Sequence, residues 1–261
     1  MLTDRTDATR SRVSAISTRA PPKGPASTTR RTSRRITVSE PDPIRRVWGI
    51  GTPRTLRPHW LLRELDLEYE TKPIITRSEG MRFPEFLALS QRAKIPLLED
   101  GRLMIGESAA IALYLADRYR DLGIFAPPRD SDDRARHDEL CFFVMSEMDA
   151  ILYVIRRHEG LAQIYGESKV AAESAREYFL RSAAEIERRL VDGRTHLMGD
   201  DFNVADLLLK TCLDWAGFVN IALPDALVAY SEAISTRPAY IAAMQHNFPP
   251  AALAALGGPT P

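Results

Sequence analysis

Residues 92–119 read RAKIPLLEDGRLMIGESAAIALYLADRY and put a hairpin, an unusual proline and a helix start side by side. Asp100-Gly101 between two apolar runs is a strong hairpin signal, because a two-residue type I′ turn needs positive φ at both central positions. Read outward from that turn, Glu99 faces Arg102, Leu98 faces Leu103, Leu97 faces Met104 and Pro96 faces Ile105. Opposite charges then meet each other and apolar residues meet each other. Pro96 has no N–H to give a ladder, so it belongs at an edge, a strand start or a cis bend. That leaves the main chain of Ile95 unpaired. Gly106-Glu107-Ser108 leads into a helix in which Ile111, Tyr114, Leu115 and Tyr119 recur at helical spacing, with Ser108 as the expected N-cap.

Three polar features converge on this stretch: a free strand edge at Ile95, a carboxylate at Glu107, and a hydroxyl at a helix N-terminus, where amides attract anions. A zwitterionic peptide fits them. Its extended backbone pairs with the edge, its carboxylate meets the helix start, and its ammonium meets Glu107.

Upstream, RVWGI at 46–50 predicts a strand, followed by a turn at Gly49, Gly51 and Pro53 and a helix through Trp60, Leu61, Leu62 and Leu65. Pro58 costs little inside a first helical turn and much further in, which favours Thr55 as N-cap and leaves Thr52 in the loop before it. YETKPII at 69–75 predicts a second strand, interrupted at Pro73, and residues 81–90 a helix. Downstream, LGIFAPPR at 122–129 reads as a linker, and everything after it as helical. One helix is expected from Ser131 to about Glu159 and another from about Ser168 to Val191. Asp201-Phe202-Asn203-Val204-Ala205-Asp206-Leu207 is a capping box: Asn203 caps, Asp206 answers at N3, and Phe202 staples to Leu207.

Lys94-Ile95-Pro96 followed by Glu107-Ser108 and an apolar helix resembles the glutathione-binding half of the glutathione S-transferase family. The strand–helix–strand–helix–hairpin–helix order over 46–120, the box at 201–207 and Arg237-Pro238 extend the resemblance to roughly residues 46–250. It implies an α/β thioredoxin-like N-terminal domain followed by an all-α domain. The boundaries expected are a disordered basic extension at 1–44, the glutathione-binding domain at 45–121, a linker at 122–130, the helical domain at 131–250 and a tail at 251–261. The resemblance also implies a cis Pro96, pairing of the glutathione cysteinyl main chain with Ile95, and a hold on its γ-glutamyl end by Glu107 and Ser108. Lys94 beside that edge is a candidate for the glycyl carboxylate. Tyr153, Arg156 and Arg157 are candidates for the electrophile pocket.

The activity implied is glutathione transfer, with a hydroxyl that lowers the thiol pKa so that a thiolate attacks a small hydrophobic electrophile. Thr52 and Thr55 are the candidates, and Thr52-Pro53 resembles the Ser-Pro of the family's serine classes. A non-catalytic module of the same fold and a glutathione-dependent isomerase or lyase are the alternatives. The resemblance further implies a homodimer with glutathione as co-substrate and a role in detoxification.

Composition narrows the classes. Apolar residues make up 44% of 261, enough for a sizeable core, and the formal charge is zero. Residues 1–36 hold nine basic and two acidic side chains, leaving 26 basic and 33 acidic over the rest, which is no nucleic-acid footprint. No apolar run approaches the roughly 18–20 residues of a membrane span. Cys141 and Cys212 are far apart in helical patterns, and His59, His137, His158, His196 and His246 show no metal spacing, so no metal is expected. A reducing, cytoplasmic setting fits. The Arg- and Ser-rich start offers organelle targeting as the alternative.

Overall fold

The structure is a computed structural model and describes residues 44–255. The extension expected at 1–44 therefore lies, apart from Ile44, outside the described residues. The chain begins with strand β1 (Arg45–Ile50), helix α1 (Pro53–Glu64) and strand β2 (Glu70–Ile75). A 3-10 turn (Glu79–Arg82) and helix α2 (Pro84–Leu89) replace the single helix expected over 81–90, since Pro84 breaks that run and starts a new first turn. The hairpin strands β3 (Leu97–Asp100) and β4 (Leu103–Gly106) and helix α3 (Ser108–Arg118) complete the α/β part.

The sheet has the order β2-β1-β3-β4, with β1 and β2 parallel and the other pairs antiparallel. Alternation along β1 sends Val47 into the core shared with α1 and α3, while Trp48 meets Phe86 of α2, ring centroids 6.2 Å apart. Pro73 is tolerated because β2 is an edge strand and its register with β1 shifts between Trp48 and Ile50.

The hairpin register differs from the expected one. Leu98 pairs with Ile105, Glu99 with Met104 and Asp100 with Leu103, so the turn is Gly101-Arg102. Gly101 takes φ 60° and Arg102 does not enter the left-handed region, the glycine-first pattern of a type II′ turn. Asp100 explains the shift. Its carboxylate is buried and accepts from the hydroxyls of Tyr114 at 2.9 Å and Tyr119 at 2.7 Å. Its two donors compensate the burial of the carboxylate, and pulling it into the turn would leave both tyrosine hydroxyls without this acceptor. Glu99 pairs instead with Arg46 of β1, at 2.9 Å.

The helical part consists of α4 (Asp132–Phe143), α5 (Ala150–His158), the short α6 (Ala162–Tyr165), α7 (Lys169–Leu190), α8 (Val204–Phe218), α9 (Asp225–Ser235), α10 (Pro238–Asn247) and the short α11 (Pro250–Ala255). α4 and α5 run on through a π-helical segment at Val144–Asp149, which interrupts the uniform helix expected over 131–159 and carries the buried Asp149. α11 lies where a loose tail was expected, and its Ala252 is fully buried. α8 is the axis of this part. Its first turn is closed by the capping box, with Asp206 accepting from the Asn203 amide at 2.9 Å while its other oxygen accepts from the Leu197 amide at 2.7 Å and the Tyr230 hydroxyl at 2.6 Å. Burial nevertheless pushes the Asp206 carboxyl above its ordinary pKa.

α1 is the seam between the two parts. Its Trp60 is wholly buried against Phe202 and Tyr240, and Glu64 at its end takes a two-pronged ion pair from Arg237, at 2.7 and 2.8 Å. This packing offsets the hydrogen bond lost at Pro58, which lies inside α1 rather than in its first turn. Among the described residues no helix is long and apolar enough to cross a membrane, and no group of His, Cys, Asp or Glu is arranged to hold a metal.

Candidate functional site

A cleft of about 520 Å³ opens where the start of α1, the segment before β3 and helices α5, α8 and α10 come together. Of the residues singled out in the sequence, Thr52, Lys94, Ile95, Tyr153 and Arg156 line it; Thr55, Pro96, Glu107, Ser108 and Arg157 do not.

The start of α1 corrects the sequence reading. Thr52, not Thr55, is the N-cap. Pro53 fills N1, where no amide donor is needed, and the Thr52 hydroxyl accepts from the Thr55 amide at 3.0 Å. Thr55 answers from N3 by accepting from the Thr52 amide at 2.9 Å, which closes a capping box built from two threonines. The Thr55 hydroxyl is fully buried and lies 2.8 Å from Oδ1 of Asn247, at the end of α10. Asn247 also gives its Nδ2 to the Thr52 carbonyl at 3.0 Å, and its own carbonyl accepts from the Gly51 amide at 2.7 Å. The Arg54 amide, in the first turn, makes no hydrogen bond among the described residues.

One turn further on, two arginines share one carboxylate. Asp149 accepts from Arg54 Nη2 at 2.5 Å and from Arg57 Nη2 at 2.7 Å. Arg57 is wholly buried and also donates to Thr211 at 2.8 Å and to Ser108 at 3.0 Å. Burial raises the Asp149 pKa, but the two guanidiniums outweigh it and hold the carboxyl below the usual carboxylate range. Arg54 lines the cleft and lies over the rings of Tyr153 and Trp215, 4.9 and 5.3 Å from their centroids.

At the hairpin side, Ile95–Pro96 is a cis peptide and β3 begins at Leu97, so Ile95 stands outside the ladder. Gly49 makes this approach feasible: it takes φ 111°, and a Cβ there would fall 2.7 Å from Ile95 Cβ. Ser108 is not the expected N-cap but the first residue of α3, and it accepts from Arg57. The cap position is Glu107, with φ 64° and no side-chain capping bond; its carboxylate is largely exposed and pairs with Arg92 at 3.1 Å.

The opposite wall is apolar and aromatic, with Trp215 and Phe218 from α8, Met244 and Phe248 at α10, and Leu253 from α11. Tyr153 stands above it 3.5 Å from the Tyr165 hydroxyl. Burial, reinforced by the charge of Arg77, pushes the Arg156 pKa down. Arg157 stacks behind the lining on Tyr165, itself a cleft residue, 4.6 Å from the ring centroid. Sequence reasoning missed Arg54, Asp149, Trp215 and Asn247. Arg54-Thr55 beside Thr52 hinted at the first, whereas nothing local marks Asn247, 195 residues from Thr52.

Comparison with known proteins matches the glutathione S-transferase N-terminal domain to residues 45–117 and the glutathione S-transferase C-terminal domain to residues 143–238. Glutathione S-transferase 1 of Schizosaccharomyces pombe is 29% identical over 178 residues, 66% of this chain and 74% of that protein. A sphingomonad glutathione S-transferase solved in complex with glutathione is 30% identical, with a TM-score of 0.66 over 77% of this chain and 98% of that one. A glutathione transferase of Methylococcus capsulatus superposes with a TM-score of 0.69 at 27% identity, covering 78% of this chain and 98% of that one. With both halves matched in order, and the sphingomonad protein covered almost end to end, the chain belongs to the glutathione S-transferase family.

Proposed function

We propose that the cleft binds glutathione and that the Thr52 hydroxyl holds its sulfur as a thiolate for attack on a small apolar electrophile. The observation that carries this reading is the state of the α1 start. Thr52 lines the cleft and accepts from the Thr55 amide, and its proton, which otherwise goes to the Thr55 oxygen 3.0 Å away, turns to a thiolate placed there. Thr55 is buried behind it and acts through Thr52.

The magnitudes agree. Ionising a thiol of pKa about 8.5 near neutrality takes a fall of roughly two units, about 2.7 kcal/mol. A hydrogen bond to a charged group supplies roughly 1.5–3 kcal/mol and a helix N-terminus roughly 0.3–1. The unbonded Arg54 amide and the Arg54 guanidinium add positive potential on the same side. Once ionised, the sulfur forms a bond to the electrophilic carbon, and the electron pair leaves with a departing group or is protonated after addition.

The rest of the tripeptide takes the hairpin side. Its cysteinyl main chain pairs with Ile95, held in place by the bend at Pro96. Lys94 faces the glycyl carboxylate; beyond the cleft lining, the exposed Glu107 carboxylate exchanges Arg92 for the ammonium, and Ser108, buried behind it, still has a proton for the γ-glutamyl carboxylate. Tyr153, Trp215 and Phe218 receive the electrophile, with Arg156 beside them, while Arg157 acts only by backing Tyr165. The same reading makes the chain a cytoplasmic homodimer.

Calorimetric titration with glutathione, paired with a panel of aryl halides, epoxides and enones, tests the proposal. Binding with turnover of some of these supports it. Binding without any turnover promotes the non-catalytic reading, and absence of binding sinks both.

A further inference from the structure

Asn247 is wholly buried at the last residue of α10, yet its polar atoms are spent almost entirely on the three residues around the cleft-lining hydroxyl. The Thr55 oxygen has a single proton and three acceptors around it: Asn247 Oδ1 at 2.8 Å, the Thr52 carbonyl at 2.9 Å and the Thr52 hydroxyl at 3.0 Å. The Thr52 carbonyl is already served by the Leu56 amide and by Asn247 Nδ2, both at 3.0 Å. Asn247 Oδ1 has only the longer contact of the Gly51 amide, at 3.3 Å, besides Thr55, so the Thr55 proton goes to it. With that proton turned away, the Thr52 hydroxyl receives only the Thr55 amide and is left as the donor of the 3.0 Å contact between the two threonines, while the Gly51 amide bonded to the Asn247 carbonyl pins the loop behind it.

The same segment also builds the far wall. Met244 and Phe248 flank Asn247 and line the cleft, and Leu253 follows on α11. Ala252 of α11 sits over Gly51 so closely that a Cβ on Gly51 would fall 3.0 Å from the Ala252 Cβ. The activating hydroxyl and the apolar wall are thus tied to one short piece of chain.

We infer that Asn247 is a positioning residue for thiol activation: it fixes the Thr52–Thr55 pair from the far end of the chain and links that pair to the wall that receives the electrophile. This rests on the reading of Thr52 as the thiolate-holding hydroxyl. A structural role alone would make Asn247 matter only for stability, whereas a positioning role makes it matter for the ionisation of bound glutathione.

The test is thiolate absorbance of glutathione bound to the full chain, followed against pH, in the wild type, Asn247→Ala and Ala243→Gly. Ala243 is buried on the same helix, so glycine there loosens α10 without touching the hydrogen bonds to Thr52 and Thr55. The expected result is a midpoint raised by about one unit in Asn247→Ala, the size of one lost hydrogen bond, and unchanged in Ala243→Gly. Should the alanine variant fail to fold, Asn247→Ser, which leaves room for a water and keeps a polar group, is expected to show the same rise. An unmoved midpoint in the Asn247 variants, or an equal rise in Ala243→Gly, overturns the inference while leaving the proposed function standing. A wild-type midpoint equal to that of free glutathione overturns both.

Discussion

The carboxylate of Asp149 lies 2.5 Å from Nη2 of Arg54, joining the helix that begins at Thr52 to the π-helical segment of the helical half. Its second oxygen holds the wholly buried Arg57, so two cations share one acid across the seam and the cluster keeps a net positive charge. Asp149→Asn leaves Arg57 without its counter-charge and is expected to cost about 3–5 kcal/mol, read as a fall in denaturation midpoint at neutral pH. The sign with pH follows from the lowered pKa. The stability Asp149 contributes is complete above the unfolded-state carboxylate value of about 4 and is lost as pH falls through the lower folded value. The gap between wild type and Asp149→Asn should therefore narrow in strong acid.

His59 gives a second pH dependence. It is fully buried between the Gly49 carbonyl at 3.0 Å and the Tyr69 hydroxyl at 3.1 Å, and burial lowers its pKa to about 3. The unfolded chain takes up this proton near pH 6.5 and the folded chain does not, so stability falls as pH drops from about 6.5 toward 3. At pH 5 the loss is about 2 kcal/mol. His59→Gln keeps hydrogen-bonding capacity without titrating and should flatten this part of a stability-versus-pH curve; an unchanged slope would remove His59 from the account.

The two threonines should separate by rate and stability. Thr52→Val removes both the cap and the cleft-facing donor, and is expected to slow conjugation roughly 10- to 100-fold and to cost about 1 kcal/mol of stability. Thr55→Val leaves Asn247 Oδ1 and the Thr52 amide short of a buried partner, with a stability loss of about 1–3 kcal/mol and a smaller effect on rate. Steady-state kinetics alongside thermal melts would expose the opposite ordering if the roles were exchanged.

At the start of α3, Ser108→Ala takes an acceptor away from buried Arg57 and should cost about 1–3 kcal/mol, detectable by urea denaturation. Glu107→Gln alters an exposed pair with Arg92 and should leave the melting temperature nearly unmoved while weakening glutathione binding. Equal affinity in wild type and Glu107→Gln would place the ammonium elsewhere.

Periodicity and turn chemistry made the strand–helix order legible, and the Asn203–Asp206 box was readable because its whole mechanism is local. The misreadings share one cause: a residue was assigned by its neighbours in sequence when a distant partner decided its place. Asp100 left the turn because Tyr114 and Tyr119 hold it. Ser108 lost its capping role to Arg57. Pro58 proved tolerable deep in α1 because Trp60 and Leu61 beside it are wholly buried. The cleft edge at Ile95 could be read from one proline, whereas Asp149 and Asn247 depend on packing that no short window contains.

The most direct test of the central claim is the ionisation of glutathione bound to the wild type, compared with that bound to Thr52→Val. The expected wild-type midpoint lies about two units below the free-thiol value of about 8.5 and returns most of the way toward it in the variant. The same midpoint in both proteins would contradict the assignment of thiol activation to Thr52.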